Sequence, residues 1–236
     1  MAERIDLVVI DPQVSFCDKA TDELYVPNAE NDVKRIAEMI NRFGKKINKI
    51  HVSMDCHHFF DISHMKFWRN SKGQNPDPFT IITHQDTVDK VWFPIFKSLP
   101  GHSDAQAYVE YYTKELEKNG RFQHCTFPNH CLIGSDGNKI MPVLFQALIN
   151  WQEKNHNNVN YVSKGSCVIT ENFSIIQAEV PSPDFPETQL NTAFIQTLMD
   201  TDRILIAGEA GSHCLKFSTE DIANNFNDDT YIKKIT

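Results

Sequence analysis

The apolar positions fall into two recurring patterns along the chain. Ile5–Ile10 is a near-continuous apolar run that stops at Asp11 and Pro12, as a strand covered on both faces does. From Asn31 to Phe43 the period changes: Val33, Ile36, Ala37, Ile40 and Phe43 recur at helical spacing, and Gly44 follows where a helix would end. A second strand is read over Ile47–Met54, and it again stops at an acid, Asp55. Two buried strands around an amphipathic helix predict a βαβ unit, and hence a parallel sheet.

Further along, the pattern predicts helices over Asp104–Lys118 and Met141–Glu153, a short strand over Val159–Ser163, and a Pro-containing loop over Gln177–Phe185. It then predicts a helix over Thr188–Met199, a buried strand over Asp202–Ala207 and a last helix over His213–Asn225. Residues 71–103 carry four prolines and two glycines with mixed polarity. They are read as a long surface excursion, a kind of loop that is uncommon unless functional. The expected architecture is a single α/β domain over residues 1–236: a doubly wound, three-layer α/β/α arrangement on a mostly parallel sheet. Ligands are then expected at the carboxyl ends of the strands.

Composition narrows the function classes. Of 236 residues, 41% are hydrophobic and 23% charged, so a sizeable core is possible. Net charge is -8, from 31 acidic and 23 basic residues, with no basic block; nucleic acid is a poor partner for such a surface. No apolar run approaches the ~20 residues a membrane span needs, and no apolar leader follows Met1. A cytoplasmic protein is expected, with its six scattered cysteines kept as thiols.

The candidate chemistry gathers after the strands. Asp11 opens the string DPQVSF after the first, and suits either a catalytic acid or a turn. After the second comes DCHHFFDISH, in which Asp55 and His57 are two apart and can converge on one cation; carboxylate and imidazole suit zinc, iron or manganese. Four histidines, His51, His57, His58 and His64, fall in this neighbourhood. His130 sits in TFPNHCLIGSDG, where a structural role is the ordinary alternative, and Cys131 beside it is either a ligand or core. Lys164 follows the short mid-chain strand and precedes Gly165. In GEAGSHCLKFST, Cys214 falls at a helix N-terminus. There the macrodipole and free N–H groups are expected to lower a thiol's pKa, the alternative being a buried inert cysteine.

Taken in order, these motifs resemble the nicotinamidase-like cysteine hydrolases of the isochorismatase-like superfamily. They are an acid–x–Gln–x–x–Phe, a D-x-H, an x-P-x-H-C loop, a Lys-Gly and a G-x-A-x-x-x-C, over nearly the whole chain. The resemblance implies a catalytic triad of Asp11, Lys164 and Cys214, and an oxyanion hole from the N–H groups of Ala210 and Cys214, with a cis peptide between Glu209 and Ala210. It implies one divalent metal, zinc for preference, on Asp55, His57 and His130, and a ring pocket lined by Phe16, Phe127 and Phe173. The implied substrate is a small linear amide, nicotinamide first, hydrolysed through a thioester. Other amides or carbamoyl compounds are the sibling reading, and a non-catalytic metal- or ligand-binding relative is the reading from another class.

Three features depart from the family pattern. Phe127 replaces the usual Trp, the 71–103 excursion is long, and the sequence given stops at YIKKIT, where the last sheet strand would begin. An incomplete C-terminal sheet edge is therefore expected. Such an edge is usually covered, so a homo-oligomer is expected.

Overall fold

A computed structural model describes residues 3–21, 23–226 and 228–236. Its centre is a sheet of strands β1 (Ile5–Ile10), β2 (Ile47–Asp55), β3 (Asn160–Lys164) and β4 (Arg203–Gly208) in the order β3-β2-β1-β4. Every pairing is parallel. The chain crosses from β1 to β2 and β3 on one side and reaches β4 on the other. Strand order thus reverses between β1 and β4, which is where doubly wound sheets bind ligands.

The alternation of β1 decides the layers. Leu7 and Val9 face helices α1 (Ala29–Phe43) and α3 (Pro142–Asn155), packing with Val33, Ile36, Leu144, Leu148 and Trp151. Val8 and Ile10 face helices α4 (Thr192–Met199) and α5 (Cys214–Asn225), packing with Phe194, Leu198, Phe217 and Ile222. The four β1 side chains are fully buried, so each contributes about 1.5–3 kcal/mol by leaving water. The three-layer α/β/α architecture expected from the sequence is therefore the one observed.

Residues 71–103 have more structure than a surface excursion suggests. Trp68–Arg69 pairs with Phe93–Pro94, and Ile81–Ile82 pairs with His124–Cys125, both antiparallel. A short helix over His84–Val88 opens with a reciprocal capping box between Thr83 and Asp86. The segment lies on helix α2 (Ala105–Asn119), where Trp68, Ile82, Leu99, Tyr108 and Tyr112 make a third apolar cluster. Two-residue strands carry no readable alternation, so the sequence pattern does not reveal them.

At the C-terminus, the outer edge of β4 is met by residues 234–236. The Ile204 N–H donates to the Lys234 carbonyl (2.7 Å), the Thr236 N–H to Ile204 (2.8 Å) and the Ile206 N–H to Thr236 (3.2 Å). The contact is a single parallel bridge between Ile204 and Ile235, while Tyr231 and Ile232 end a short helix over Asp229–Ile232. Among the described residues, no helix is long and apolar enough to cross a membrane.

Candidate active site and metal centre

The carboxyl ends of the four strands bring the site together. β2 and β3 pair with Asp55 opposite Lys164, and Asp11 leaves β1 in the left-handed region at φ 44°, which Asp tolerates better than most residues. The Asp11 N–H donates to Ser53 Oγ (2.8 Å), and the Ser53 hydroxyl donates back to Asp11 Oδ1. Lys164 Nζ stands 3.0 Å from Asp11 Oδ2, 2.9 Å from Asp55 Oδ1 and 3.6 Å from Cys214 Sγ, and donates to the Asn172 carbonyl (3.0 Å). Asp11, Lys164 and Cys214 are all buried, so the expected triad is one contiguous cluster.

Two residues that the sequence shows only as members of motifs take supporting roles here. The Gln13 amide donates to the Asp55 carbonyl and accepts the Asp55 N–H, both at 2.7 Å. This clamp explains the Gln of the first motif, because it fixes the backbone that carries Asp55. Gly165 explains the Lys-Gly pair. Its φ is +77°, and a Cβ there would meet Asp55 Oδ1 at 2.5 Å. Gly165→Ala is expected to destabilise the fold by about 1–3 kcal/mol and to displace Asp55 from Lys164; a urea melt beside wild type checks the first effect.

The charges set one another. Burial pushes Lys164 down, but Asp11 and Asp55 outweigh it and hold the ammonium well above its ordinary range. Burial likewise opposes the ionised form of Asp55, yet His57 and Lys164 keep that carboxylate well below the usual range. Asp11 shifts the other way: burial raises it, Asp55 adds to this, and Lys164 and Ser53 offset only part. Cys214 departs from the expectation of a lowered thiol. Burial holds it well above its ordinary range, Lys164 pulls it down only in part, and Asp11 and Asp55 push it up. The resting cysteine is a thiol, and it needs a base to become a nucleophile.

Cys214 does open helix α5, as read from the sequence. The peptide between Glu209 and Ala210 is cis. Among the described residues, the N–H groups of Ala210 and Cys214 donate to no backbone carbonyl, whereas those of His213 and Leu215 both donate to Ala210. Two free N–H groups beside a cysteine are the donors an oxyanion hole needs.

Beside the triad, ring atoms of His57, His64 and His130 lie within 4.8 Å of one another, and all three residues are buried. Asp55 Oδ2 is 2.9 Å from His57 Nε2 and 3.5 Å from His130 Nε2. The expected ligands Asp55, His57 and His130 thus stand together, and His64 joins them. Both His64 ring nitrogens are buried with no hydrogen-bond partner among the described residues. Burial, with the other two histidines adding, pushes this ring down to about 2. A neutral imidazole with orphaned nitrogens among two more imidazoles and a carboxylate fits a zinc-type cation well. The H-x6-H spacing of His57 and His64 was visible in the sequence, but in an irregular loop no period says which side chains converge.

A cavity of about 260 Å³ opens over these groups. Phe16, Phe127 and Phe173, the three residues expected to line a ring pocket, line it with Cys214, Ala210, Asp55 and His130. Phe79, from the 71–103 segment, lines it as well, its ring 6.0 Å from that of Phe127. Glu171 and His213 are among the polar groups of the wall. Neither was read from the sequence. Burial raises Glu171 to about 7. The volume lies just below the usual range for drug-sized ligands and suits a single-ring molecule.

Solved structures similar in fold to this chain include nicotinamidases and pyrazinamidases. The yeast nicotinamidase Pnc1p aligns with a TM-score of 0.60 at 19% identity, over 93% of this chain and 82% of that one. An Acinetobacter baumanii nicotinamidase/pyrazinamidase gives 0.57 at 17% identity, over 94% and 78%. The Pyrococcus horikoshii pyrazinamidase, solved in complex with zinc, gives 0.51 at 16% identity, over 94% and 79%. No family model and no curated protein matches the sequence. Identities this low speak for the fold alone, and in fold this chain resembles these nicotinamidases and pyrazinamidases.

Proposed function

We propose that this protein is a metal-assisted cysteine amidohydrolase acting on a small aromatic amide, with nicotinamide the leading substrate. One observation carries the reading. A buried lysine joins an aspartate and a cysteine, Nζ to Oδ2 at 3.0 Å and Nζ to Sγ at 3.6 Å, and that cysteine lines an aromatic cavity together with His130 of the histidine cluster. The zinc of the P. horikoshii pyrazinamidase supports the metal part of the reading, as does the orphaned His64.

In this mechanism Asp11 takes the Cys214 proton, and the Lys164 ammonium stabilises the thiolate that forms. Cys214 Sγ then attacks the amide carbonyl, and the N–H groups of Ala210 and Cys214 meet the developing oxyanion. Asp11 returns the proton to the departing nitrogen, so that ammonia leaves and a thioester remains on Cys214. Water, deprotonated by Asp11, hydrolyses the thioester and frees the acid. Asp55, His57 and His130, with His64 beside them, would hold one divalent cation, and its chemistry there is a Lewis-acid anchor for the ring nitrogen of a heteroaromatic amide. Phe16, Phe127, Phe173 and Phe79 pack the ring faces.

The reading is tested by acid-quenching the zinc-loaded protein during turnover of nicotinamide and measuring its intact mass. An acyl adduct that maps to Cys214 and is absent from Cys214→Ala is expected. Turnover without any adduct on Cys214 would remove the cysteine from the chemistry. Other small amides and carbamoyl compounds are the second reading, since the triad acts on the carbonyl and not on the ring.

A further inference from the structure

We propose that Asp61 is a positioning residue for the metal centre: it holds His57 in the tautomer that leaves Nε2 bare for the cation. The inference rests on the metal-binding reading above. Asp61 is completely buried. Its Oδ1 is pinned by two donors, the Ser63 N–H at 3.0 Å and the Ser63 hydroxyl at 2.8 Å. Its Oδ2 stands 3.2 Å from His57 Nδ1, and neither of these two atoms has an aligned hydrogen bond to any described residue.

The other side of the ring explains the poor alignment. His57 Nε2 leans on Asp55 Oδ2 at 2.9 Å, the side on which His130 Nε2 also approaches Asp55. The backbone cannot shift far to accommodate this, because the His57 N–H donates to the Cys131 carbonyl and the His57 carbonyl accepts from Ile133. A cation on Nε2 needs that nitrogen's lone pair, so the neutral ring must carry its proton on Nδ1. Asp61 Oδ2 is the buried acceptor facing that proton, and a small turn of the ring about its own bond aligns the two. A carboxylate behind a metal-bound imidazole fixes the tautomer and raises the basicity of the ligand.

Ser63 makes the test discriminating. In Asp61→Asn, the two Ser63 donors hold the amide oxygen at the Oδ1 position, so the NH2 group faces His57 Nδ1 and donates to it. The ring must then keep its proton on Nε2, against the cation. Zinc affinity is measured on the full chain by competition with a chromophoric chelator, for wild type, Asp61→Asn and Asp61→Ala. The isosteric Asn variant is expected to bind zinc roughly 10–100-fold more weakly than wild type, and no better than the Ala variant. Asp61→Asn binding like wild type, with Ala the worse of the two, overturns the proposal, because that order is what a purely structural aspartate gives.

A second readout needs no variant. In zinc-loaded wild type with nitrogen-15-labelled histidine, NMR is expected to find the His57 proton on Nδ1; a proton on Nε2 overturns the proposal. Wild type that binds no zinc overturns this inference together with the metal reading, whereas tight zinc binding with an unaffected Asp61→Asn overturns this inference alone.

Discussion

Lys164→Met is expected to destabilise the fold by about 3–5 kcal/mol at neutral pH and to abolish turnover. The reason is what it leaves behind. Lys164 is the buried cation between Asp11 and Asp55, 3.0 Å and 2.9 Å from their carboxylates, and its loss strands two buried anions. Methionine fills the volume, so a cavity does not explain the loss. The sign with pH follows. Without the ammonium, the Asp11 carboxyl, already raised by burial and by Asp55, moves further above its unfolded value. It then favours folding when protonated and opposes it as pH rises through its folded pKa, whereas Asp55 keeps His57 beside it. The deficit against wild type is therefore expected to be larger at pH 7 than at pH 5, as read from urea melts at the two values. An equal deficit at both would mean that the lysine does not neutralise this pair.

Asp11→Asn is the second large effect. It keeps the shape of the side chain and can still accept from Ser53, but it cannot take a proton. Burial holds the Cys214 thiol well above its ordinary range, so without a base almost no thiolate forms near neutral pH. A fall in kcat on the order of 10³-fold or more is expected, since members of a catalytic unit fail together. In wild type the acid limb of the rate profile follows deprotonation of the base. Burial and Asp55 raise Asp11, so this limb is expected above the ordinary aspartate value of about 3.9, with activity lost as pH falls through it. The apparent value belongs to the coupled triad. A kcat for Asp11→Asn within tenfold of wild type would contradict the assignment of Asp11 as the base.

Much of this site was legible before any coordinates, for a physical reason. A buried parallel strand reads as an unbroken apolar run, and the first polar residue after it marks the carboxyl end. Asp11 announces itself in this way, whereas the strands that carry Asp55 and Lys164 include polar residues such as Lys49, Ser53 and Ser163, and those two were picked out by the D-x-H and Lys-Gly motifs. Cys214 was placed correctly at a helix start, but the direction of its shift was not. The helix dipole is a local feature that sequence shows, whereas burial beside Asp11 and Asp55 comes from chain segments far apart, and it dominates. Gln13 was visible as part of a motif, yet its grip on Asp55 exists only through the register of β1 against β2. His64 and Asp61 lie in a loop, where no period assigns a face. Phe79 reaches the cavity from a segment whose own core, Trp68, Ile82 and Leu99, is built on two-residue strands that leave no pattern to read.

The central claim is that Cys214, served by Asp11 and Lys164, hydrolyses a small aromatic amide. Its most direct test is ammonia release from nicotinamide by the zinc-loaded protein, measured beside Cys214→Ala under the same conditions. The account predicts steady ammonia release by wild type and none above background by the variant. Equal release by the two proteins, or none by wild type with nicotinamide or any other small aromatic amide, would contradict it.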